Sequence, residues 1–182
     1  MNGYNFCPVC ATPLAQRQDT DRPRQHCPAC QWTHWNNPAP VVAALIELEG
    51  KILLARNAAW PQGMFGLITG FLEAGETPEQ GVAREVLEET GLATHSVELL
   101  GVYDFARKNE VIIGYHIAAH GSIKLNEELA EYRLIAPEKL RPWPFGTGLA
   151  MGEWLKRRNI PFEFLDMDTV KQTLRGEAKE EV

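Results

Sequence analysis

Apolar residues follow two rhythms along this chain, and the points where the rhythm changes mark its elements. VVAALIEL (residues 41–48) and KILLAR (51–56) are near-continuous apolar runs joined by Glu49-Gly50, the pattern of a hairpin of two buried strands. A loop with Trp60, Pro61 and Gly63 follows, and a short strand is expected near Phe65–Ile68. VELLGVYDFA (97–106) and VIIGYHIAAH (111–120) predict two long strands. YRLI (132–135) predicts a shorter one behind an acidic segment with Glu127, Glu128 and Glu131. In the middle the period lengthens to that of a helix. Thr77-Pro78-Glu79-Gln80 supplies an N-cap, a proline at the first helical position and a capping-box glutamine. Val82, Ala83, Val86 and Leu87 are expected to face the core, and Gly91 to end the helix. A further helix is expected over about 148–158 and another after Asp166.

Residues 1–37 are different: they carry too few apolar side chains to fold around a core of their own without a metal. Asn36-Asn37-Pro38-Ala39-Pro40 reads as a junction. The expected organisation is a small module at 1–37, a main domain at 38–175 and a flexible tail at 176–182. Interspersed strands and helices with a hairpin start predict an α+β domain, a mixed sheet flanked by helices.

Composition narrows the function classes. A chain of 182 residues that is 45% hydrophobic buries about 70% of its unfolded surface, enough for one main core and one accessory module. A net charge of −6 argues against a general nucleic-acid binder. No apolar run approaches the roughly 18 residues of a membrane span, and MNGYNFCPVC lacks the basic and apolar regions of a secretory signal. The expected location is the cytoplasm.

The four cysteines, Cys7, Cys10, Cys27 and Cys30, form two CxxC pairs separated by sixteen residues, the spacing of a four-thiolate zinc site. Disulfides fit poorly with a reducing cytosol, and a redox dithiol occurs once, at a helix start. His26 adjoins Cys27, but four cysteines already complete a tetrahedron. The segment between the pairs reads as a hairpin or loop. Its Arg17, Arg22 and Arg24 are nearly balanced by Asp19 and Asp21, which weakens any grip on a phosphate backbone.

The helix at 78–90 carries the chemistry. Glu85, Glu88 and Glu89 stand at i, i+3 and i+4, so their carboxylates fall within reach of one another. Like-charge pairs at these spacings each cost about 0.2–0.5 kcal/mol, and anions in a last turn oppose the helix dipole. A hard divalent cation removes both penalties. Arg84 is placed to orient Glu88 or a neighbour, and Glu73 and Glu76 add carboxylates in the preceding loop. Oxygen ligands of this kind suit magnesium shared with substrate phosphates, and metal-assisted hydrolysis at phosphorus follows.

From Gly70 to Leu92 the chain resembles the Nudix box, G-x5-E-x7-R-E-U-x-E-E-x-G-U, without a mismatch. The matching residues are Gly70, Glu76, Arg84, Glu85, Val86, Glu88, Glu89, Gly91 and Leu92. The resemblance implies a Nudix α/β/α sandwich around a mixed sheet, and hydrolysis of nucleoside diphosphates linked to another moiety. It implies that Glu85, Glu88, Glu89 and the Gly70 carbonyl bind catalytic Mg2+ or Mn2+, that Arg84 orients the carboxylates, and that Glu76 belongs to the catalytic set. A further acid outside the box, Glu128 or Glu131, is expected as base or ligand.

A zinc ribbon followed by this box resembles the NADH pyrophosphatase branch and the ribbon-bearing Nudix enzymes that act on FAD. In that branch, an aromatic before the core and the phenylalanine after the first box glycine stack on a base across a dimer; Trp35 and Phe71 match them. The chain departs from NADH-hydrolysing members in one respect: their SQPWPFPxS signature is replaced by THSVELLGVYDFA. A PWPF string at Pro142–Phe145 is expected to pack on the core as a helix entry, and Trp60, Tyr103 and Phe105 are further stacking candidates. The expected reaction is cleavage of FAD, NAD(H) or ADP-ribose into two monophosphates, with removal of an NAD cap from RNA and catalysis-free nucleotide sensing as alternatives. Zinc is expected to be structural, the ribbon structural or part of a homodimer interface, and the partner a small nucleotide rather than nucleic acid or membrane.

Overall fold

The computed structural model describes residues 3–20 and 22–174; the tail expected at 176–182 lies outside them. The chain divides into two compact units, Met1–Pro38 and Ala39–Val182. In the first unit, β1 (Ala15–Asp19), β2 (Arg22–His26) and β3 (Thr33–His34) form an antiparallel sheet in that order. The arginine-bearing segment between the cysteine pairs is therefore a hairpin.

The second unit is built on a mixed sheet. Its strands are β4 (Ala39–Leu48), β5 (Lys51–Asn57), β6 (Ile68–Phe71), β7 (Ala93–Phe105), β8 (Glu110–His120) and β9 (Leu129–Ile135). They are ordered β7-β8-β4-β5-β9, with β6 paired to β4. Only β4 and β8 run parallel. The strand expected near 65–68 begins three residues later, so the first box glycine, Gly70, lies inside β6 opposite Val42.

Strand β4 is apolar from Val41 to Ile46 because both of its faces are covered there. Val42, Ala44 and Ile46 pack with Val82 and Val86 of α1 (Pro78–Thr90), while Leu45 packs with Met151, Trp154 and Leu155 of α2 (Thr147–Arg157). This alternation makes an α/β/α sandwich. A third helix, α3, spans Met167–Leu174. Among the described residues no helix is long and apolar enough to cross a membrane.

The sheet is split. β4 pairs with β5 over Ile46–Leu48 and with β6 over Val41–Ala44, so two strands diverge from one edge. A single bridge, Ala55 to Gly66, spans the opening.

Helix α1 starts where its capping box dictates: the Gln80 amide donates to Thr77 Oγ1 at 3.3 Å, and the Thr77 amide to Gln80 Oε1 at 2.8 Å. It ends at Gly91, whose φ of 68° lets its N–H reach the Leu87 carbonyl. One expectation fails. Leu87 is 57% exposed, and the buried stripe runs through Val82, Val86, Glu89 and Thr90. Leu87 follows Val82 by five residues, which turns it about 140° from Val82 and beyond the edge of that stripe.

Candidate active site and four-cysteine centre

Arg84 organises the acidic end of α1. Its Nε and Nη2 donate to the two oxygens of Glu76 at 3.0 and 2.8 Å, a bidentate pair that ties the loop before the helix to the helix itself. Nη1 donates to Glu85 at 2.8 Å and Glu88 at 3.1 Å, and Nη2 also reaches the Phe71 carbonyl at 3.2 Å. One guanidinium therefore collects three carboxylates and the end of β6. Glu79, by contrast, accepts from the Tyr115 hydroxyl at 3.1 Å.

Glu76 also accepts the Glu73 amide at 2.8 Å. Arg84 foremost, and this amide second, hold its carboxyl down at about 2. Because that value lies below the unfolded reference of 4.5, its stabilising contribution is complete above pH 4.5 and is lost as pH falls towards 2. Glu76→Gln is expected to flatten the drop in melting temperature across that window, measured by thermal melts at graded pH; an unchanged slope contradicts this.

Glu85 lies against Gly70 so closely that a Cβ on that glycine would fall 1.9 Å from the Glu85 Cδ. Only a residue without a side chain leaves the carboxyl this position. Glu88 is exposed, whereas Glu89 is 8% exposed. Burial first, then the charges of Glu85, Glu128 and Glu88, push the Glu89 carboxyl up to about 7.

Glu128 reaches this group because the loop at 121–128 is tied to the end of α1: the Lys124 and Asn126 amides donate to the Thr90 and Glu89 carbonyls at 2.8 and 3.2 Å. Together Glu89 and Glu128 line a cleft of about 50 Å³ with Asn57, Trp60 and Thr69, where the sheet splits. Glu131 sits on β9 in an ion pair with Arg56 and is not among the cleft's lining residues. The structure thus separates the two downstream acids that the sequence left equivalent.

A larger cleft of about 620 Å³ continues from the small one, sharing Trp60, Leu67 and Thr69 with it. Trp143 and Phe145 of the PWPF string line it with Phe105; Trp143 also packs on the α2 core, as expected, and Phe145 stacks on Phe105 with ring centroids 6.0 Å apart. Sequence reasoning passed over Asn57 and Thr69, which carry no local signal. Tyr103 is half-buried among the core clusters. Phe71, in the second unit, is 61% exposed. In the first unit Trp35 is 51% exposed, with the Arg24 guanidinium 5.4 Å over its ring and donating to its carbonyl.

The cysteines form two matching turns. The Cys7 and Cys27 amides donate to the Thr12 and Trp32 carbonyls at 2.9 and 2.7 Å. Ala11 and Gln31 close the turns at φ of 57° and 65°. Cys7 Sγ lies 3.5 Å from Cys30 Sγ, and Cys10 Sγ 3.4 Å from Cys27 Sγ. A disulfide needs about 2.05 Å, while four thiolates about 2.3 Å from one ion stand at separations like these. All four sulfurs lie within 4.8 Å of one another, and no other group of three or more Cys, His, Asp or Glu among the described residues is gathered so tightly. Glu85 and Glu88 are drawn towards Arg84, while Glu89 lines the small cleft, so the three do not close on a common centre. Their set still fits a hard cation: it is all oxygen, it is anionic beyond what one arginine balances, and the Gly70 cradle fixes Glu85 beside the buried Glu89.

Comparison with known proteins agrees with this geometry. The NUDIX domain model matches residues 36–157, and the Nudix N-terminal zinc-ribbon model matches residues 5–36. The chain is 31% identical over 147 residues to the NAD-capped RNA hydrolase NudC of Pseudomonas aeruginosa, covering 80% of this chain and 52% of that one. It is 28% identical over 149 residues to the NudC of Stutzerimonas stutzeri, covering 81% and 53%. It therefore spans about half the length of these relatives. A crystal structure of a NUDIX hydrolase from Nitrosomonas europaea superposes with a TM-score of 0.71 at 29% identity, over 88% of this chain and 97% of that one. With the complete box running from β6 through α1 and a four-cysteine ribbon ahead of it, the chain belongs to the NUDIX family.

Proposed function

We propose that this protein hydrolyses the pyrophosphate bond of a nucleoside diphosphate linked to another moiety, such as FAD, NAD(H) or ADP-ribose, and releases two monophosphates. The observation that carries this reading is the buried Glu89, set among Glu85, Glu88 and Glu128 at the split of the sheet beside the Gly70–Glu85 cradle. Glu85, Glu88, Glu89 and the Gly70 carbonyl would hold Mg2+ or Mn2+. When bound, such an ion neutralises phosphate oxygens and lowers the pKa of a coordinated water. The chain's own groups do the rest. Arg84 keeps Glu85 and Glu88 in place through one nitrogen. Glu128, free of any ion pair among the described residues, lies in the cleft with Glu89 and serves as the proton acceptor. Phe71, exposed at the end of β6, is a stacking residue for a base.

Zinc in the four-sulfur cage is structural on this reading. A second reading is the same bond cleavage at the NAD cap of an RNA, favoured by the NudC names of the relatives. The near-neutral ribbon weighs against a grip on the RNA strand.

The test is a panel of NADH, NAD, FAD, ADP-ribose, nucleotide sugars and NAD-capped RNA with Mg2+ or Mn2+, scored for the monophosphates released. Two monophosphates from at least one small dinucleotide are expected; ligand binding without any product contradicts the reading. Gly70→Ala probes the cradle. The atoms its Cβ meets are the far end of the Glu85 side chain, which moves aside without disturbing the backbone. The variant is expected to melt like wild type with kcat/KM lower by about 10–100-fold. Wild-type kcat/KM would remove Glu85 from the site.

A further inference from the structure

The larger cleft has a charge pattern that the proposed reaction does not use. Its floor and walls are aromatic and aliphatic, with Phe105, Trp143 and Phe145 on one side and Trp60 where it meets the carboxylates. At about 620 Å³ it lies within the range of nucleotide-sized sites. Four cations also line it: Arg107 and Lys108 from the β7–β8 turn, and Lys139 and Arg141 from the segment before α2. Among the described residues the only acid in the lining is Glu110, so the described lining carries a net charge of +3 on a chain whose net charge is −6. Arg107, Lys139 and Arg141 have no ion pair or side-chain hydrogen bond among the described residues, and Lys108 lies over the Phe105 ring at 5.9 Å.

A neutral nucleoside explains the aromatic walls and leaves the cations without a partner. The pyrophosphate does not supply one, because its place is at the carboxylates. What satisfies both halves of the cleft is a nucleoside with an additional anion on its ribose. We propose that the cleft holds the nucleoside half of the substrate and that Arg107, Lys108, Lys139 and Arg141 clamp a 2′- or 3′-phosphomonoester on it. The preferred substrate is then a pyrophosphate whose nucleoside carries a third phosphate. The assignment of the scissile bond rests on the pyrophosphohydrolase reading, while the clamp itself is a property of binding. Guanidinium groups suit the role because they meet phosphate oxygens in bidentate fashion.

Calorimetric titration of the full chain with AMP, adenosine 2′,5′-bisphosphate and adenosine 3′,5′-bisphosphate tests this without turnover. One bisphosphate is expected to bind roughly tenfold tighter than AMP, the size of one charge-assisted contact, and which one it is gives the ribose position. In an Arg107→Ala/Arg141→Ala variant the gap should fall below about twofold with AMP affinity unchanged, whereas Lys51→Ala, which changes a cation outside the cleft, should preserve it. Equal binding of all three nucleotides, binding of none, or a gap that survives the double substitution overturns the clamp. Absence of hydrolysis across the substrate panel, extended by pyrophosphates whose ribose carries a 2′- or 3′-phosphate, overturns the pyrophosphohydrolase reading instead, so the two failures are distinguishable.

Discussion

Glu89→Gln is expected to lower kcat by roughly 10³-fold while leaving the melting temperature unchanged or raising it by up to about 4 °C in the absence of added Mg2+ or Mn2+. The two effects have one cause. Glu89 is 8% exposed at the end of a helix with Glu85, Glu88 and Glu128 around it, and these surroundings raise its pKa to about 7. A charge kept in such a place weakens the fold, and an amide of the same shape removes the conflict. The same charge is what a divalent cation beside a pyrophosphate needs. Turnover assays beside thermal melts read both quantities. Retained activity contradicts the role, and a fall in melting temperature beyond about 5 °C would make Glu89 a structural residue.

Removal of the ribbon's metal is the second large effect expected. Cys27 is fully buried, and the first unit has Cys7 and Cys27 as its only core residues among those described. Without an ion only weak thiol contacts hold the four sulfurs together, and structural zinc in small domains supplies about 10–16 kcal/mol of folding free energy. Cys27→Ser is expected to abolish zinc binding and to strip amide protection from the hairpin Ala15–His26, while β4, β8 and α1 keep theirs. Hydrogen exchange with metal analysis checks this. Persistent protection of the hairpin in a zinc-free chain contradicts a metal-dependent ribbon.

Local chemistry made much of this protein readable from its sequence. The capping box at Thr77–Gln80, the glycine stop at Gly91 and the turn at Glu49-Gly50 depend on neighbours a few residues away, and each stands where expected. The matching turns at the cysteines are local in the same sense. The buried face of α1 was misread because a carboxylate occupies it: with Glu89 and Thr90 facing inward, the apolar pattern alone pointed to Leu87. The split of the sheet was invisible, since it arises from β4 pairing with two strands of different sequence distance. Glu128 and Glu131 differ in the same non-local way: one ends a loop tied to α1, and the other meets Arg56 across β5 and β9. The larger cleft, assembled from six separate segments, has no sequence signature at all.

The central claim is that the acids of α1 and Gly70 form a cation site beside a pyrophosphate. Anomalous diffraction from a crystal soaked in Mn2+ tests it most directly. A manganese peak coordinated by Glu85, Glu88 and Glu89, with the Gly70 carbonyl in its shell and Glu85 and Glu88 drawn off Arg84, is the predicted result. Glu85 and Glu88 still held by Arg84, with no anomalous peak beside them or Glu89 at millimolar Mn2+, would contradict it.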